Sequence, residues 1–470
     1  MSPQTSGPSA GLPATRTRYK VVVFAIVLAV IQYIDRVAIS QAKDGVVKDL
    51  GFTDAQMGSI FAAFGLSYAL FEIPTGWLGD KIGARKVLVR VVLWWSFFTA
   101  ATGWAWNFTS MWITRFLFGA GEAGCFPNLT KAFSTWLPIN ERTRAQALMW
   151  MGARWGGAFT PLLVVLVMAF VSWRTAFQIF AGLGMIWAIF FWRWFRDNPR
   201  DHPDVNAAEL ELLKENEANA RGHGDVPWAK LVGKPSMWLL WGQYFCLSCG
   251  WYFFVTWLPD YLNTNGRSLL SNEFLRWLAA MMEGAVRADL IQPILKAVLA
   301  GVPLFFGGFG SLFAGMWSSR LIARGASVVK VRRSFGFLGF AGASALLMTS
   351  FYIQDPLLAM LAMGLASFCN DMTMPGSWSS CMDIGGKYAG TVSGSMNMMG
   401  NFGGMVGPYV LGVVLAATTI TTAAGTTKNW ELVFAILSGI YFLGAFFWLI
   451  IDPVTPLEAD AATVKPAPEA

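Results

Sequence analysis

Twelve apolar runs recur along these 470 residues, near 19–40, 55–79, 85–106, 109–131, 143–169, 173–195, 237–263, 298–322, 333–353, 356–384, 388–418 and 430–451. A helix crosses the hydrocarbon core of a bilayer with roughly 20 apolar residues, and every run is long enough to do so. Only 13% of the residues are charged and 55% are hydrophobic, against about a quarter charged in a soluble chain; mean hydropathy is +0.48. The pattern predicts an all-α membrane protein with 12 transmembrane helices.

The runs fall six and six around a polar stretch, 196–236, that holds Asn198-Pro199, Pro203, a glutamate-rich helical segment at 207–219 and the pair Gly222/Gly224. Such a composition fits a cytoplasmic linker between an N-terminal bundle, 18–195, and a C-terminal bundle, 237–452. Residues 1–17 and the Pro/Ala-rich 453–470 read as disordered tails, and the first run reads as a span, not as a cleaved leader. Residues 267–296 break the pattern. Phe274, Leu275, Leu278, Met281, Met282 and Val286 alternate there with Glu273, Arg276, Glu283, Arg287 and Asp289, which predicts an amphipathic extracytoplasmic helix lying on the surface as a cap.

The formal charge of +7 does not point to nucleic acid, because the basic residues are scattered over alternate loops. Arg16, Arg18, Lys20, Lys81, Arg85, Lys86, Arg90, Arg142, Arg144, the 196–234 stretch, Arg320, Arg324, Lys330, Arg332 and Arg333 all fall on one side of the spans. The positive-inside bias makes that side, and both termini, cytoplasmic. The five cysteines, Cys125, Cys246, Cys249, Cys369 and Cys381, lie in apolar runs; Cys246 and Cys249 have redox-motif spacing without a soluble βαβ context, so they read as packing residues.

Between the second and third runs stands Gly76-Trp-Leu-Gly-Asp80-Lys-Ile-Gly83-Ala-Arg85-Lys86. It resembles the loop between helices two and three of the major facilitator superfamily, in which glycines, an aspartate and cations latch a cytoplasmic gate; Gly76, Asp80, Gly83, Arg85 and Lys86 match it. A degraded copy without the aspartate, Gly315-Met-Trp-Ser-Ser-Arg320-Leu-Ile-Ala-Arg324-Gly325, holds the same place in the second half. The resemblance implies two pseudo-symmetric six-helix bundles with a substrate site between them.

Ionisable groups inside the spans cost about 2.5–3.5 kcal/mol each on insertion scales, so Asp35, Arg36, Arg115, Glu122 and Arg154 should face a cavity or one another. Arg115 and Glu122 are seven residues apart and share a helix face. Arg36 is the first choice to hold an anion, because arginine stays charged and offers a forked donor. Proton coupling needs a group whose pKa can move. Both histidines, His202 and His223, lie in the linker, which leaves Asp35 and Glu122; Glu72 and Asp80 are placed nearer the gate, and Asp371 and Asp383 flank span ten. Each carboxylate could instead be a permanent partner of an arginine. Three arginines against Asp35 and Glu122 leave an excess of cation that invites an anion. Asn397 and Asn401, four apart, can present amides to hydroxyls, and Trp378 follows a helix break expected at Pro375-Gly376. No metal-ligand cluster or activated nucleophile appears in the spans, so the chain is not expected to be an enzyme.

Tyr33-Ile-Asp35-Arg36, Phe64 to Gly76, Arg115-Phe-Leu-Phe-Gly119-Ala-Gly-Glu122-Ala-Gly-Cys-Phe126-Pro127-Asn128 and Asn397-Met-Met-Gly-Asn401-Phe-Gly-Gly404 together resemble the anion:cation symporter family. That resemblance implies proton-coupled import of a small carboxylate, with hexuronate or aldonate sugar acids leading. Arg36 would bind the carboxylate, Asp35 and Glu122 near Arg115 would carry protons, and Tyr33, Tyr68, Trp378 and Asn397 would line the pocket. Arg154-Trp155 departs from the glutamine that sugar-acid carriers often have in span five, and a further arginine there favours a dicarboxylate or an aromatic acid. Exchange of organic phosphate for phosphate is the alternative within transport. A non-transporting sensor would call for a larger cytoplasmic signalling extension. The expected setting is a bacterial inner membrane, as a monomer, with the proton as coupling ion and no cofactor.

Overall fold

In a chain this apolar the backbone must satisfy its own hydrogen bonds, and helices do so locally. The computed structural model describes residues 13–457 except 53, 169, 217–225, 259–260, 263–267, 285–287, 419 and 423–424. Its N-terminal half holds α1 (Thr17–Gln41), α2 (Lys43–Leu50), α3 (Asp54–Ile82), α4 (Ala84–Thr102), α5 (Phe108–Glu122), α6 (Cys125–Trp136), α7 (Ile139–Met168) and α8 (Trp173–Trp194). Short helices α9 (Ala207–Leu212) and α10 (Trp228–Gly233) follow in the linker. The C-terminal half holds α11 (Pro235–Thr256), α12 (Glu273–Met282), α13 (Ala288–Ala323), α14 (Val328–Tyr352), α15 (Pro356–Asp371), α16 (Met374–Gly385), α17 (Ala389–Thr418) and α18 (Trp430–Ile450). One small hairpin, Ile420–Thr422 with Gly425–Thr427, precedes α18.

Pairs α5/α6 and α15/α16 are single transmembrane rods broken in the middle, so the helices make two bundles of six rods. The first break is Ala123-Gly124, where Gly124 adopts φ +88, a left-handed conformation that costs glycine little. The second is at Met372-Thr373, before the expected Pro375-Gly376. Pro375 instead lies in the first turn of α16, where its missing N–H leaves no bond unmade. Asn107, Ser172, Asp355 and Asn429 cap the starts of α5, α8, α15 and α18 by accepting backbone N–H bonds. All four caps lie on the face opposite the linker.

Three boundaries differ from those expected. Residues 288–296 are the first turns of α13, leaving Glu273–Met282 as the separate amphipathic helix. The ends of the chain are tied down where they are described. Glu209 of the linker accepts the Thr17 and Arg18 backbone N–H groups and the Arg18 guanidinium. At the other end Arg332 donates to the Pro453 carbonyl and Leu457 N–H to Ile384 O. Residues 1–12 and 458–470 lie outside the described residues.

On the linker face the halves are locked together twice. Asp80 accepts from Gly390 N–H at 3.0 Å, Thr391 N–H at 2.7 Å and Thr391 Oγ1 at 2.6 Å, so the gate aspartate caps a helix of the other half. Gly76 and Gly390 lie back to back, each occupying space that a Cβ on the other would need. Lys131 stands 3.6 Å from Asp80 and donates to Lys387 O. In the second lock Asp383 takes Arg142 on one oxygen and Arg332 on the other, both at 2.5 Å. Like Asp80 in the first lock, Asp383 is a buried aspartate that ties the halves together. Gly315 packs directly on Ala147. Gly83, at φ +92, turns the chain so that Arg85 N–H reaches Asp197 at 2.8 Å and its guanidinium lies over Trp192; burial pushes the Asp197 carboxyl up. Lys86 is exposed.

The structure is therefore closed at the linker face, and Asp80 carries much of that closure. Each hydrogen bond to a charged group is worth about 1.5–3 kcal/mol, and 1.4 kcal/mol is a factor of ten. Asp80→Ala should speed maleimide labelling of an Ala389→Cys probe, buried in this state, by about tenfold or more. The measurement is a labelling time course in a background with the five native cysteines replaced by alanine, and an unchanged rate removes Asp80 from the lock.

Candidate functional site

Halfway along the rods, one pair of the charges expected to meet does so, and the others take separate partners. Arg36 on α1 pairs with Glu122 on α5: Nε and Nη2 both lie 3.2 Å from Oε1. Its guanidinium packs over Tyr68, Phe64 and Tyr33 at 4.8, 5.2 and 5.5 Å from their ring centres. Glu122 is fully buried, whereas Arg36 keeps 19% of its side chain exposed. Tyr252 of the other half lies within its electrostatic reach and donates to Asn401 Oδ1 at 3.3 Å. Arg36 is thus backed by aromatics and a carboxylate, and it is the least buried of the three arginines.

Asp35 points the other way, into the N-terminal bundle, where Trp95 Nε1 donates to Oδ2 at 3.1 Å and Oδ1 has no partner among the described residues. Arg115 shares a face with Glu122, as expected, but seven residues are about 10 Å of helix rise, and the two form no ion pair. Arg115 instead stacks on Phe118 at 4.0 Å, with Nη1 unpartnered among the described residues. It stays within electrostatic reach of Asp35 and Glu122.

Arg154 on α7 is not free. It makes a two-pronged bond to Asp371 on α15, at 2.6 and 3.1 Å, and donates to Tyr33 Oη at 3.3 Å. This pair crosses the interface between the halves and is almost wholly buried. Trp378 is also buried, packed on Phe126 and Trp150 with its indole N–H on Tyr244 Oη at 3.0 Å; it lines the floor of the site and not an open wall. Asn397 does not present a free amide. Its Nδ2 donates to Glu72 Oε1, and Asn401 Nδ2 donates to Asn397 O at 3.0 Å.

Glu72 is therefore misplaced by the sequence reading, which put it near the gate. It lies two turns inward of Asp80 on α3, fully buried, at the centre of the interface. Asp371 was likewise assigned to the edge of span ten. Both acids that end a half-rod, Glu122 before Ala123-Gly124 and Asp371 before Met372-Thr373, occupy equivalent places in the two halves. Each takes an arginine from another rod of the N-terminal half.

This corrects the charge balance. Arg36, Arg115 and Arg154 face four carboxylates, Asp35, Glu72, Glu122 and Asp371, all in the central layer. The excess of cation expected from the sequence disappears once Glu72 and Asp371 are counted.

The geometry has counterparts. Residues 25–408 match the family described as Major Facilitator Superfamily. A probable sulfoacetate transporter of Cupriavidus necator is 31% identical over 446 residues, covering 94% of this chain and 96% of that protein. A probable galactarate/D-glucarate transporter of Escherichia coli is 29% identical, covering 91% and 95%. Two solved structures share the fold: the human organic anion transporter MFSD10, with TM-score 0.62 at 16% identity, and the E. coli fucose:proton symporter, with TM-score 0.63 at 15% identity. Each spans 92% of this chain and 99% of its own. Its relatives include proteins named as carriers of organic anions, and the chain is a membrane transporter, not an enzyme, that belongs to the major facilitator superfamily.

Proposed function

We propose that this protein imports small organic anions together with protons, by alternating exposure of the central site. The charge balance carries this reading. With all four carboxylates ionised the layer holds one more negative charge than its three arginines neutralise, and an anion entering it would be repelled. One proton brings the layer to neutrality, a second makes room for a monoanion and a third for a dianion. Protonation and anion binding therefore favour each other, which is the thermodynamic content of symport. A phosphate exchanger would have no use for so many buried carboxylates.

Arg36 is the proposed anchor, since it is the least buried arginine of this layer, and Asp35 and Glu122 are proposed to exchange protons. Asn401 and Tyr252 offer polar contacts to hydroxyls beside it. Positive charge on the linker face supports a cytoplasmic linker and cytoplasmic termini, in a bacterial inner membrane. A second reading of the cargo rests on Tyr33, which touches Arg36 with its ring and Arg154 with its hydroxyl. Two arginines on one wall suit a short dianion, whose second group would compete with Asp371. Sulfoacetate and galactarate, after which two relatives are named, both carry two acidic groups.

Uptake into proteoliposomes of glucuronate, galactonate, galactarate and sulfoacetate, with and without an inward proton gradient, tests these roles. Arg36→Ala removes a charge-assisted contact of about 1.5–3 kcal/mol, so KM should rise roughly 10- to 100-fold; an unchanged KM excludes it as anchor. Glu122→Gln should keep exchange of labelled for unlabelled cargo and lose accumulation against a gradient, and retained accumulation removes it from coupling. The double variant Arg154→Gln/Asp371→Asn deletes a buried pair without leaving either charge alone. It should raise KM for dianions about tenfold and leave monoanions within about twofold. Equal effects on both cargo types would sink the dianion reading.

A further inference from the structure

Glu72 is a buried acid that the expected mechanism leaves without a part. Its side chain is fully enclosed, Oε1 accepts the Asn397 amide from the opposite half, and Oε2 has no hydrogen-bond partner among the described residues. No cation among the described residues lies within ion-pair distance of it, in contrast to Glu122 and Asp371. The Tyr68 hydroxyl stands near it as a second neutral donor, and a charged carboxylate in this position would cost several kcal/mol that two neutral donors do not recover. A neutral carboxylic acid fits the same contacts, with its carbonyl oxygen taking the amide and its hydroxyl on the unpartnered side.

We propose that Glu72 is a further proton-binding site of the carrier, occupied while α3 and α17 are joined and emptied when they part and water reaches the carboxyl. This rests on the proton-coupled reading above and adds to it a proton held at the interface between the halves. Charged and titratable neighbours reach Glu72 from every side. They are Arg36 on α1, Tyr68 on α3 itself, Glu122 on α5, Cys125 on α6, and Tyr244 and Tyr252 on α11. From α17 the contact is the neutral Asn397, with Gly394 letting the backbones close beside it. Arg36 is the lone cation in that set and is already committed to Glu122. The step is a simple ionisation: a proton from water on the open side joins the Glu72 carboxylate, and the acid returns it to water on the other side when the rods separate.

The test needs no cargo. The full chain in lipid nanodiscs is titrated with pH while the infrared carbonyl band of protonated carboxylic acids is recorded. Glu72→Gln keeps an oxygen to accept the Asn397 amide, and its thermal unfolding reports whether it folds. The difference between the native protein and Glu72→Gln should contain an acid carbonyl band that disappears at high pH, and Asn397→Leu should move that band in frequency. A difference spectrum without such a band in folded protein overturns the proposal, as does a band that Asn397→Leu leaves in place. Because no substrate enters, a negative result leaves the transport reading standing. Conversely, failure of every uptake assay would not erase a titrating Glu72 band.

Discussion

Charge is expensive where water is scarce, and this molecule places seven ionisable groups halfway through its helical rods. Each must be matched, neutralised or exposed. Four are matched in two ion pairs, Arg36 with Glu122 and Arg154 with Asp371. Two arginine faces are covered by aromatic rings, Arg36 over Tyr68 and Arg115 over Phe118. What remains, Asp35 and Glu72, is a pair of carboxyls that accept neutral donors alone among the described residues. The layer is thus close to balance but sensitive to a single proton, and its helices are arranged around that sensitivity.

The three arginines all come from the N-terminal half, while one of their acceptors, Asp371, comes from the other. The second half contributes chiefly neutral polar groups: Tyr252, Asn397, Asn401 and Tyr244. Such an asymmetry divides the labour between the bundles. One half sets the charge of the site, and the other closes over it and responds to what it holds.

Much of the fold was legible because apolar runs and a charged glycine-rich turn are local signals. Arg36 and Glu122 were legible too, since a charge inside a run stands out. Glu72 and Asp371 were visible as residues but misjudged in depth: Glu72 lies toward the gate end of its apolar run, and Asp371 lies mid-run at a helix break that the run does not show. The pairing of Arg154 with Asp371, 217 residues apart, has no local signature at all. The broken rods offered one usable hint: an acid immediately before a helix interruption occurs in both halves, at Glu122 and at Asp371. Asp383 as the centre of the second lock could not be read, because its two arginines lie 241 and 51 residues away on other rods.

Closure and protonation share one pair of helices. On α3, Glu72 and Asp80 are eight residues apart, about 12 Å of rise; on α17 their donors, Asn397 and Thr391, are six apart, about 9 Å. The two contacts are rungs between nearly parallel rods, and Gly76, Gly390 and Gly394 bring the backbones together between them. A displacement of one or two ångströms breaks either rung, and a tilt pivoting on the inner rung opens the outer one first. The outer rung is charged and faces a helix N-terminus; the inner rung is an amide on a carboxyl. A change of charge at Glu72 would therefore act on the same pair of helices that the gate aspartate holds together.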